Sequence, residues 1–351
     1  MNALESQLDY PLGDTLPAPA QTVELAPGVR WVRMPLPFAL DHVNLYLLRD
    51  SHDGEGWTLV DCGIASDPIR ALWERIFATG LEGLPIRRIL CTHTHPDHVG
   101  LAHWIQKRFG APLWMTMGEY AIGRVFSAVL PGADGDADAG HFSRHGMPEG
   151  PELEAVRARG RRYFSSLVPA MPLSFRRIRD AELVRIGGRD WRVVIGIGHS
   201  PEHASLYCEA DRLLLSGDMV LPRISTNVSV FETEPEANPV DWFIASLRKF
   251  VPCAEDTLVL PSHGRPFRGL HTRIAQLVQH HEERLETIYE ACRAGPISAY
   301  EAMPILFGRA FDTHQSTFAI GESLAHLHSL WYAGRVRRET GADGVIRFSA
   351  N

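Results

Sequence analysis

The sequence predicts an α/β fold in which two β-sheets pack face to face between outer helices, an αββα sandwich. Short apolar strands alternate with amphipathic helices through most of the chain, a pattern typical of layered α/β proteins. After about residue 270 the pattern becomes helical and ends in a hairpin. The chain of 351 residues is long enough for two domains. We expect a large domain over residues 1–270 and a smaller module over 271–351.

The first half of the large domain contains four predicted strands, at 31–34, 44–48, 58–60 and 86–91. Asp67-Pro68 opens a helix, because Asp67 can cap it and Pro68 is tolerated at the first helical position. A second helix is predicted from about Val99 to Phe109. The proline-rich, polar first twenty residues are predicted to be a loose arm, and Asp61-Cys62-Gly63 a turn.

The segment 119–174 interrupts this alternation and is interpreted as a helical insertion that serves as a lid. It contains a predicted helix from Glu152 to Leu167. Its histidines, His141 and His145, are interpreted as surface residues. Strands resume after the insertion, at 191–195, 205–208, 213–215 and 258–260.

The C-terminal module, residues 271–351, has the outline of a winged helix. Two short helices are predicted at 298–306 and 323–333, followed by a hairpin over 335–348. Winged helices often bind nucleic acid, but this module has eight arginines against nine acidic residues. Because phosphate neutralisation dominates nucleic-acid affinity, we do not expect nucleic-acid binding.

Four potential metal ligands occupy six residues directly after the strand at 86–91: His93, His95, Asp97 and His98. His93 and His95 are two residues apart, so on extended backbone they point the same way. Pro96 ends the extended run, and Asp97 and His98 then project from the following turn toward a second point. Imidazole and carboxylate ligands suit zinc, iron or manganese better than calcium.

Three further candidate ligands stand at later strand ends, namely His199, Asp218 and His263. Each follows an apolar strand and has a glycine adjacent or close by, so the backbone can turn sharply there. A single histidine after a strand is usually structural, but the combination predicts a centre for two metal ions.

These residues resemble the motifs of the metallo-β-lactamase superfamily. The resemblance rests on Thr92–His98, Gly198-His199, Gly217-Asp218 and Ser262-His263-Gly264, and it covers about residues 30–270. It implies the metallo-β-lactamase sandwich, with one metal on His93, His95 and His199, the other on Asp97, His98 and His263, and Asp218 bridging both. Asp97 stands where true zinc β-lactamases have cysteine, so the chain is similar to the glyoxalase II-type hydrolases. The helical tail and His203 are similar to the subgroup that carries a C-terminal winged helix.

The expected cofactors are two divalent metal ions, zinc with iron or manganese as alternatives. Two ions roughly 3.5–4 Å apart lower the pKa of a shared water, so that a bridging hydroxide exists at neutral pH and attacks the substrate. Asp97 and Asp218 are the expected catalytic carboxylates. His203 is predicted either to support the ligands or to contact the leaving group, and a packed or solvated histidine is the alternative interpretation. Asp41 and His42 are placed either on a loop overhanging the site or in a structural turn.

The leading functional hypothesis is hydrolysis of a carboxylic thioester, ester or lactone. The alternative is a phosphodiesterase or ribonuclease, because some winged-helix relatives cleave RNA. A redox protein with two irons is less consistent with the sequence, since such relatives usually carry a flavin domain. A degenerate scaffold is disfavoured because all seven ligand types are intact.

The predicted partner is a small anionic substrate such as a coenzyme A thioester or a phosphate ester. The stretch from Glu152 to Arg192 contains ten arginines and five acidic residues. Arg157 and Arg161 lie on one helical face, and Arg162 is adjacent. A solvated helix face is the alternative interpretation. The resemblance also implies a homodimer.

A cytoplasmic location is predicted from the cysteines and the hydropathy. The five cysteines are scattered and odd in number, which fits a reducing compartment. No signal peptide is visible, and no apolar run approaches the roughly 18 residues of a membrane span. The net charge of −7 argues against a nucleic-acid-binding surface.

Overall fold

The computed structural model describes residues 4–38, 40–52, 54–128, 135–160, 162–308 and 313–351. In these residues the strands form a seven-stranded sheet, a five-stranded sheet and a two-stranded hairpin. The two larger sheets build the predicted sandwich, and the helices cover its outer faces.

The seven-stranded sheet runs in chain order from β1 to β7. Its strands are β1 (Val23–Ala26), β2 (Val29–Pro35), β3 (His42–Asp50), β4 (Gly56–Val60), β5 (Ile86–Leu90), β6 (Leu113–Met115) and β7 (Phe175–Arg177). Neighbours from β1 to β4 are antiparallel, and neighbours from β4 to β7 are parallel. The short strands β1, β6 and β7 are absent from the sequence prediction.

The five-stranded sheet has the order β12-β11-β10-β9-β8. Its strands are β8 (Leu183–Ile186), β9 (Arg189–Gly196), β10 (His203–Cys208), β11 (Leu213–Gly217) and β12 (Leu258–Pro261). All neighbours are antiparallel except β11 and β12, which are parallel. The carboxyl ends of β9, β11 and β12 each lead into a predicted metal ligand.

Three buried apolar clusters correspond to the layers of the sandwich. One cluster lies between the sheets and includes Trp31 of β2 and Trp191 of β9. A second joins the seven-stranded sheet to its helices, through residues such as Trp73. The third joins the five-stranded sheet to the insertion and the C-terminal module, through residues such as Phe243. The αββα fold class is therefore confirmed.

Three helices follow β4 and β5: α1 (Asp67–Thr79), α2 (Pro96–Val99) and α3 (Ala102–Phe109). The helix predicted from about Val99 to Phe109 is confirmed as α3, which begins three residues later than predicted because the chain turns at Gly100. A Cβ atom at Gly100 would lie 2.7 Å from the carbonyl oxygen of Gly63, so this turn packs directly on the loop after β4.

The described part of the connection between β6 and β7 contains four helices: α4 (Met117–Ser127), α5 (Asp136–Arg144), α6 (Pro151–Arg159) and α7 (Arg162–Leu167). The continuous helix predicted from Glu152 to Leu167 is wrong, because Gly160 has φ +43° and ψ −164° and ends α6. The surface assignment of His141 and His145 is also wrong. Both are buried, in the cluster where the insertion meets the C-terminal module.

The rest of the chain is mostly helical, with α8 (Pro239–Leu247), α9 (Leu270–Ala294), α10 (Ala299–Phe307), α11 (Thr313–Tyr332) and the hairpin β13 (Val336–Thr340) and β14 (Ile346–Ala350). The last helix starts ten residues earlier than position 323, where it was predicted to begin. Ser298 caps α10 through a capping box with Glu301. The order of helix, helix and hairpin matches the predicted outline, and its assignment as a winged helix stays a prediction.

The N-terminal arm is attached to the large domain, contrary to the loose arm predicted. Leu8 is buried, and the backbone of Asp9 pairs with that of Arg268. The Gln276 side chain of α9 also donates a hydrogen bond to the carbonyl of Leu4. Among the helices of the described ranges, none combines the length and the apolar character needed to cross a membrane.

Candidate metal centre

The predicted ligands lie where strands of both sheets end. β5 leads into His93 and His95, β9 into His199, β11 into Asp218 and β12 into His263. Glycine makes two of these turns feasible. Gly198 has φ +108° and Gly217 has φ +54°, a left-handed region that favours glycine.

The side chains converge in two groups of ligand atoms. The atoms of each group lie within 4.8 Å of one another. The first group consists of His93, His95, His199 and Asp218, and the second of Asp97, His98 and His263. The structure thus brings together all seven residues that the sequence predicted as ligands.

Asp218 faces the two groups with different oxygens. Its Oδ2 lies 3.3 Å from Nε2 of His199 and 3.9 Å from Nε2 of His93. Its Oδ1 lies 3.4 Å from Nε2 of His263 and 3.7 Å from Nε2 of His98. One carboxylate oxygen therefore points at each group, which is the arrangement a bridging ligand requires.

Hydrogen bonds on the far side of two histidines fix which nitrogen faces the groups. Nδ1 of His199 donates to the carbonyl of Asn227 at 2.8 Å, and Nδ1 of His263 donates to the carbonyl of His42 at 2.7 Å. A carbonyl only accepts, so Nδ1 carries the hydrogen in both rings. A neutral ring then presents the lone pair of Nε2 to a metal, as is usual for metal-binding histidines.

The site also contains buried polar atoms that a metal would satisfy. In the described part of the chain, Nε2 of His98 and Oδ1 of Asp218 are buried without a hydrogen-bond partner. Such an atom costs about 1–3 kcal/mol when nothing pairs with it. Imidazole nitrogens and carboxylate oxygens are ligands that zinc, iron and manganese share. The residues present therefore fit two divalent metal ions.

Protonation differs between the two groups of ligands. Burial, together with the neighbouring histidines, holds the pKa of His93 well below its usual value. Burial lowers the pKa of His98 as well, but the carboxylates of Asp97, Asp61 and Asp218 outweigh it and raise the pKa to about 10. At neutral pH and without metal, His93 is therefore neutral and His98 is protonated.

Asp61, directly after β4, supports both halves of the histidine motif. Its Oδ2 accepts hydrogen bonds from Nδ1 of His98 at 2.8 Å and from Oγ1 of Thr92 at 2.9 Å. Oγ1 of Thr92 in turn lies 2.9 Å from Nδ1 of His93. The sequence prediction treated Asp61 only as part of a turn. An acidic residue at a strand end, two residues before Gly63, is the signal that could have identified it.

We expect Asp61→Asn to lower hydrolase activity by about 10–100-fold, the usual effect of removing a hydrogen-bond partner of a metal ligand. Asparagine tolerates the φ of +62° at this position. Its oxygen can still accept from the backbone N–H of Thr92, but its NH₂ group cannot accept from His98. The measurement is kcat/KM beside the melting temperature. The matched control is Asp67→Asn, an exposed aspartate paired with Arg70, and equal activity in the two variants would contradict this role.

Glu119, at the start of α4, is a second supporting residue that the sequence prediction missed. It is completely buried. Its Oε2 accepts from the backbone N–H of Thr94 at 2.9 Å, and its Oε1 accepts from that of Glu202 at 2.8 Å. Thr94 lies between two ligands, and Glu202 follows His199 by three residues. The carboxylate thus ties together the two loops that carry the first group. No local sequence pattern predicts this long-range contact.

His203 lies behind the ligands. It is completely buried, and its Nε2 accepts a hydrogen bond from the backbone N–H of Asp218 at 3.0 Å. A Cβ atom at Gly217 would lie 2.3 Å from that nitrogen, so the glycine leaves room for the ring. Of the two predicted roles, the geometry favours support of Asp218 over contact with a leaving group.

Asp41 and His42 also lie next to the centre. His42 is the first residue of β3. Its Nε2 accepts a hydrogen bond from the backbone N–H of Gly264 at 2.7 Å. Together with the bond from His263 to its carbonyl, this contact anchors the loop after β12. The Asp41 carboxylate hydrogen-bonds Nδ1 of His42. Asp41 and His42 therefore help to hold the His263 side chain in place.

A cavity of about 500 Å³ lies over both groups. His95, Asp97, His199, Asp218 and His263 contribute to its lining. Its walls come from the insertion, from the segment 221–233 and from α11 of the C-terminal module. Most of the wall is aromatic or aliphatic, including Leu36, Phe38, Phe126, Phe142, Phe164, Phe231 and Phe318.

Most of the described arginine side chains of the insertion do not line the cavity. Of the arginine side chains that the structure describes, Arg159 is the one that lines the cavity, with its guanidinium 4.1 Å from the ring centre of Tyr163. Arg157 instead pairs with Asp136 at 3.0 Å and with Glu154. Arg161 and the side chain of Arg162 lie outside the described residues.

Comparisons with known proteins show the family of this chain. Residues 39–286 match the Metallo-beta-lactamase superfamily, and residues 285–351 match the family described as Metallo-beta-lactamase-like, C-terminal domain. The crystal structure of a beta-lactamase domain protein from Burkholderia ambifaria is 56% identical, with a TM-score of 0.94 and full coverage of both chains.

Two curated proteins are more distant relatives. The probable metallo-hydrolase YqjP of Bacillus subtilis (strain 168) is 23% identical over 85% of this chain and 91% of its own length. The hydroxyacylglutathione hydrolase GloC of Haemophilus influenzae is 21% identical over 52% of this chain and 70% of its own length. With its sandwich fold and its paired groups of ligands, the chain belongs to the metallo-β-lactamase superfamily and is a metal-dependent hydrolase.

Proposed function

We propose that this enzyme hydrolyses a carboxylic thioester, ester or lactone that carries a large apolar group. The observation that carries the proposal is the cavity of about 500 Å³ over the metal centre, whose wall is predominantly aromatic and aliphatic. Ligand sites with such walls bind their ligands mainly by apolar burial and fix orientation with a few polar groups. The likeness to GloC, whose name describes thioester hydrolysis, supports carbonyl chemistry.

Two bound divalent ions would supply hydroxide at neutral pH and neutralise the charge that develops on the attacked carbonyl oxygen. We propose zinc, with iron and manganese as alternatives.

The carboxylate of Asp97 belongs to the cavity lining, so it is placed to orient the attacking group and to accept its proton. Burial and the Asp97 carboxylate raise the pKa of Tyr163, against the effect of Arg159. Its phenol therefore stays protonated and lines the cavity as a neutral polar group.

The charge of the cavity limits how anionic the substrate is. Apart from the metal ligands, Arg159 is opposed by Asp138 and Glu232 among the described lining residues. We propose a single anionic group on the substrate, placed against Arg159. RNA and other polyanions require several cationic contacts, which this lining does not provide. The phosphodiesterase alternative is therefore the weaker candidate.

The location and assembly of the enzyme are also part of the proposal. Its five cysteines are free and buried, as in a protein of a reducing cytoplasm. We propose a homodimer on the basis of the family resemblance alone.

A substrate panel tests this function. We expect kcat/KM for aryl thioesters to rise with acyl length by about fourfold per methylene, because each buried methylene contributes about 0.8 kcal/mol. The rise ends where the cavity is full. The same panel includes acyl-homoserine lactones, a bis-aryl phosphodiester and short RNA, each with metal-depleted enzyme as the control. Turnover of the phosphodiester or RNA without turnover of any thioester, ester or lactone would overturn the proposal.

A further inference from the structure

The C-terminal module reaches the metal centre through the segment 221–238. This segment joins β11 to α8 and contains neither helix nor strand. Its residues from Leu221 to Thr233 form part of the cavity wall, beside Thr317 and Phe318 of α11. A connection of this length needs contacts outside itself to keep one conformation.

The contacts run from a metal ligand to the C-terminal module in three steps. Nδ1 of His199 donates to the backbone carbonyl of Asn227 at 2.8 Å. The side-chain NH₂ of Asn227 donates to Oε2 of Glu322 on α11 at 3.3 Å. Oε1 of the same glutamate accepts from the guanidinium of Arg284 on α9 at 2.7 Å. Both oxygens of Glu322 are therefore engaged.

Neighbouring hydrogen bonds attach the same segment to α11. The hydroxyl of Ser229 donates to the side-chain oxygen of Asn227 at 2.8 Å, which fixes the orientation of the amide. The backbone N–H of Val230 donates to the carbonyl of Gly321 at 3.1 Å. A Cβ atom at Gly321 would lie 2.9 Å from Cβ of Ser229, so the two backbones are in close contact.

Burial of the Glu322 carboxylate costs desolvation free energy. Only 6% of the residue is exposed. Burial raises its pKa to about 7, although Arg284 and Asn227 lower it. An apolar side chain would fill this space without that cost, so the carboxylate points to a specific task.

We propose that Glu322, held by Arg284, is a positioning residue for the metal centre. It fixes Asn227, and the carbonyl of Asn227 fixes the imidazole of His199. The C-terminal module thereby sets the affinity of the first group of ligands for its metal ion, while the second group, with no member on this path, is unaffected. The inference depends on the metal centre and is independent of which substrate the enzyme cleaves.

Zinc affinity of the full-length protein tests this inference. Zn²⁺ is titrated against a chromogenic chelator, which gives a dissociation constant for each ion. We expect Glu322→Ala to weaken one ion by about tenfold, the lower end of the usual effect of partners around a metal ligand, and to leave the other unchanged. Glu322→Gln keeps an acceptor for Asn227 but turns its NH₂ group toward Arg284, so we expect an affinity between those of Glu322→Ala and the native protein. Because the readout is metal binding, failure of the carbonyl-hydrolysis proposal would leave this result intact.

A double-mutant cycle distinguishes positioning from simple loss of stability. If the path runs through the side chain of Asn227, Asn227→Ala should have the same effect as Glu322→Ala, and the double variant should be no worse than either. The control is Glu286→Ala, which removes an exposed ion pair with Arg335 in the same part of the molecule. Unchanged zinc affinities in Glu322→Ala, or equal losses for both ions, would overturn the inference. Asn227→Ala decides the matter if Glu322→Ala does not fold.

Discussion

Asp218→Asn is expected to lower hydrolase activity by more than about a hundredfold, beyond the 10–100-fold that partners of metal ligands typically contribute. Asparagine has nearly the same shape as aspartate, but it offers one oxygen and no charge. In the native protein one oxygen lies 3.3 Å from Nε2 of His199, and the other lies 3.4 Å from Nε2 of His263. The variant can therefore serve one group of ligands but not both.

The measurement combines activity with metal content. We expect purified Asp218→Asn to retain no more than one tightly bound ion per chain and to stay folded, since the replacement fits the same space. Asp256→Asn is the matched control, because Asp256 is exposed, pairs with Arg212 and precedes β12, at the end opposite His263. Two tightly bound ions and full activity in Asp218→Asn would contradict the bridging role.

The seven candidate ligands were predictable from the sequence because their signal is local. Four of them share the run from His93 to His98, and the others follow apolar strands with glycine close by. Strands that end at one side of a sandwich bring such residues together whatever the details of the loops. The seven residues could therefore be named before their distances were known.

The supporting residues were not predictable, because their contacts are long-range. Glu119 and Asn227 act through hydrogen bonds to residues 25 and 28 positions away, respectively. Glu322 acts on a residue 95 positions away. Such pairs depend on how the insertion and the C-terminal module dock on the sandwich, which periodicity and spacing do not encode. The burial of His141 and His145 has the same origin.

The cavity is more apolar than the arginine content of residues 152–192 suggests. A count of charged residues in the sequence does not distinguish Arg157 from Arg159. In the structure Arg157 is paired at the surface with Asp136, whereas Arg159 lines the cavity. Which arginine lines the cavity depends on the break at Gly160 and the orientation of α6. The apolar wall follows from aromatic residues that are distant in sequence.

The pH dependence of metal loading should differ between the two ions. Burial and the neighbouring histidines hold the pKa values of His93 and His95 well below normal. These rings are already neutral at pH 6–8, so they release no proton when a metal binds. For His263, burial lowers the pKa, but the carboxylates of Asp218 and Asp97 prevail and raise it above its usual value. For His98 the carboxylates prevail in the same way and take the pKa to about 10.

A metal ion at the second group must therefore displace protons. A group with a raised pKa holds its proton below that pKa, so affinity for the second ion should fall as pH decreases, by about tenfold per pH unit for each proton displaced. Affinity for the first ion should fall less steeply over the same range, because His93 and His95 release no proton. Zinc titrations at pH 6, 7 and 8, with proton release followed by an indicator dye, measure both slopes. Equal slopes for the two ions, or binding without proton release, would contradict this division, because both ions would then meet ligands in the same protonation state.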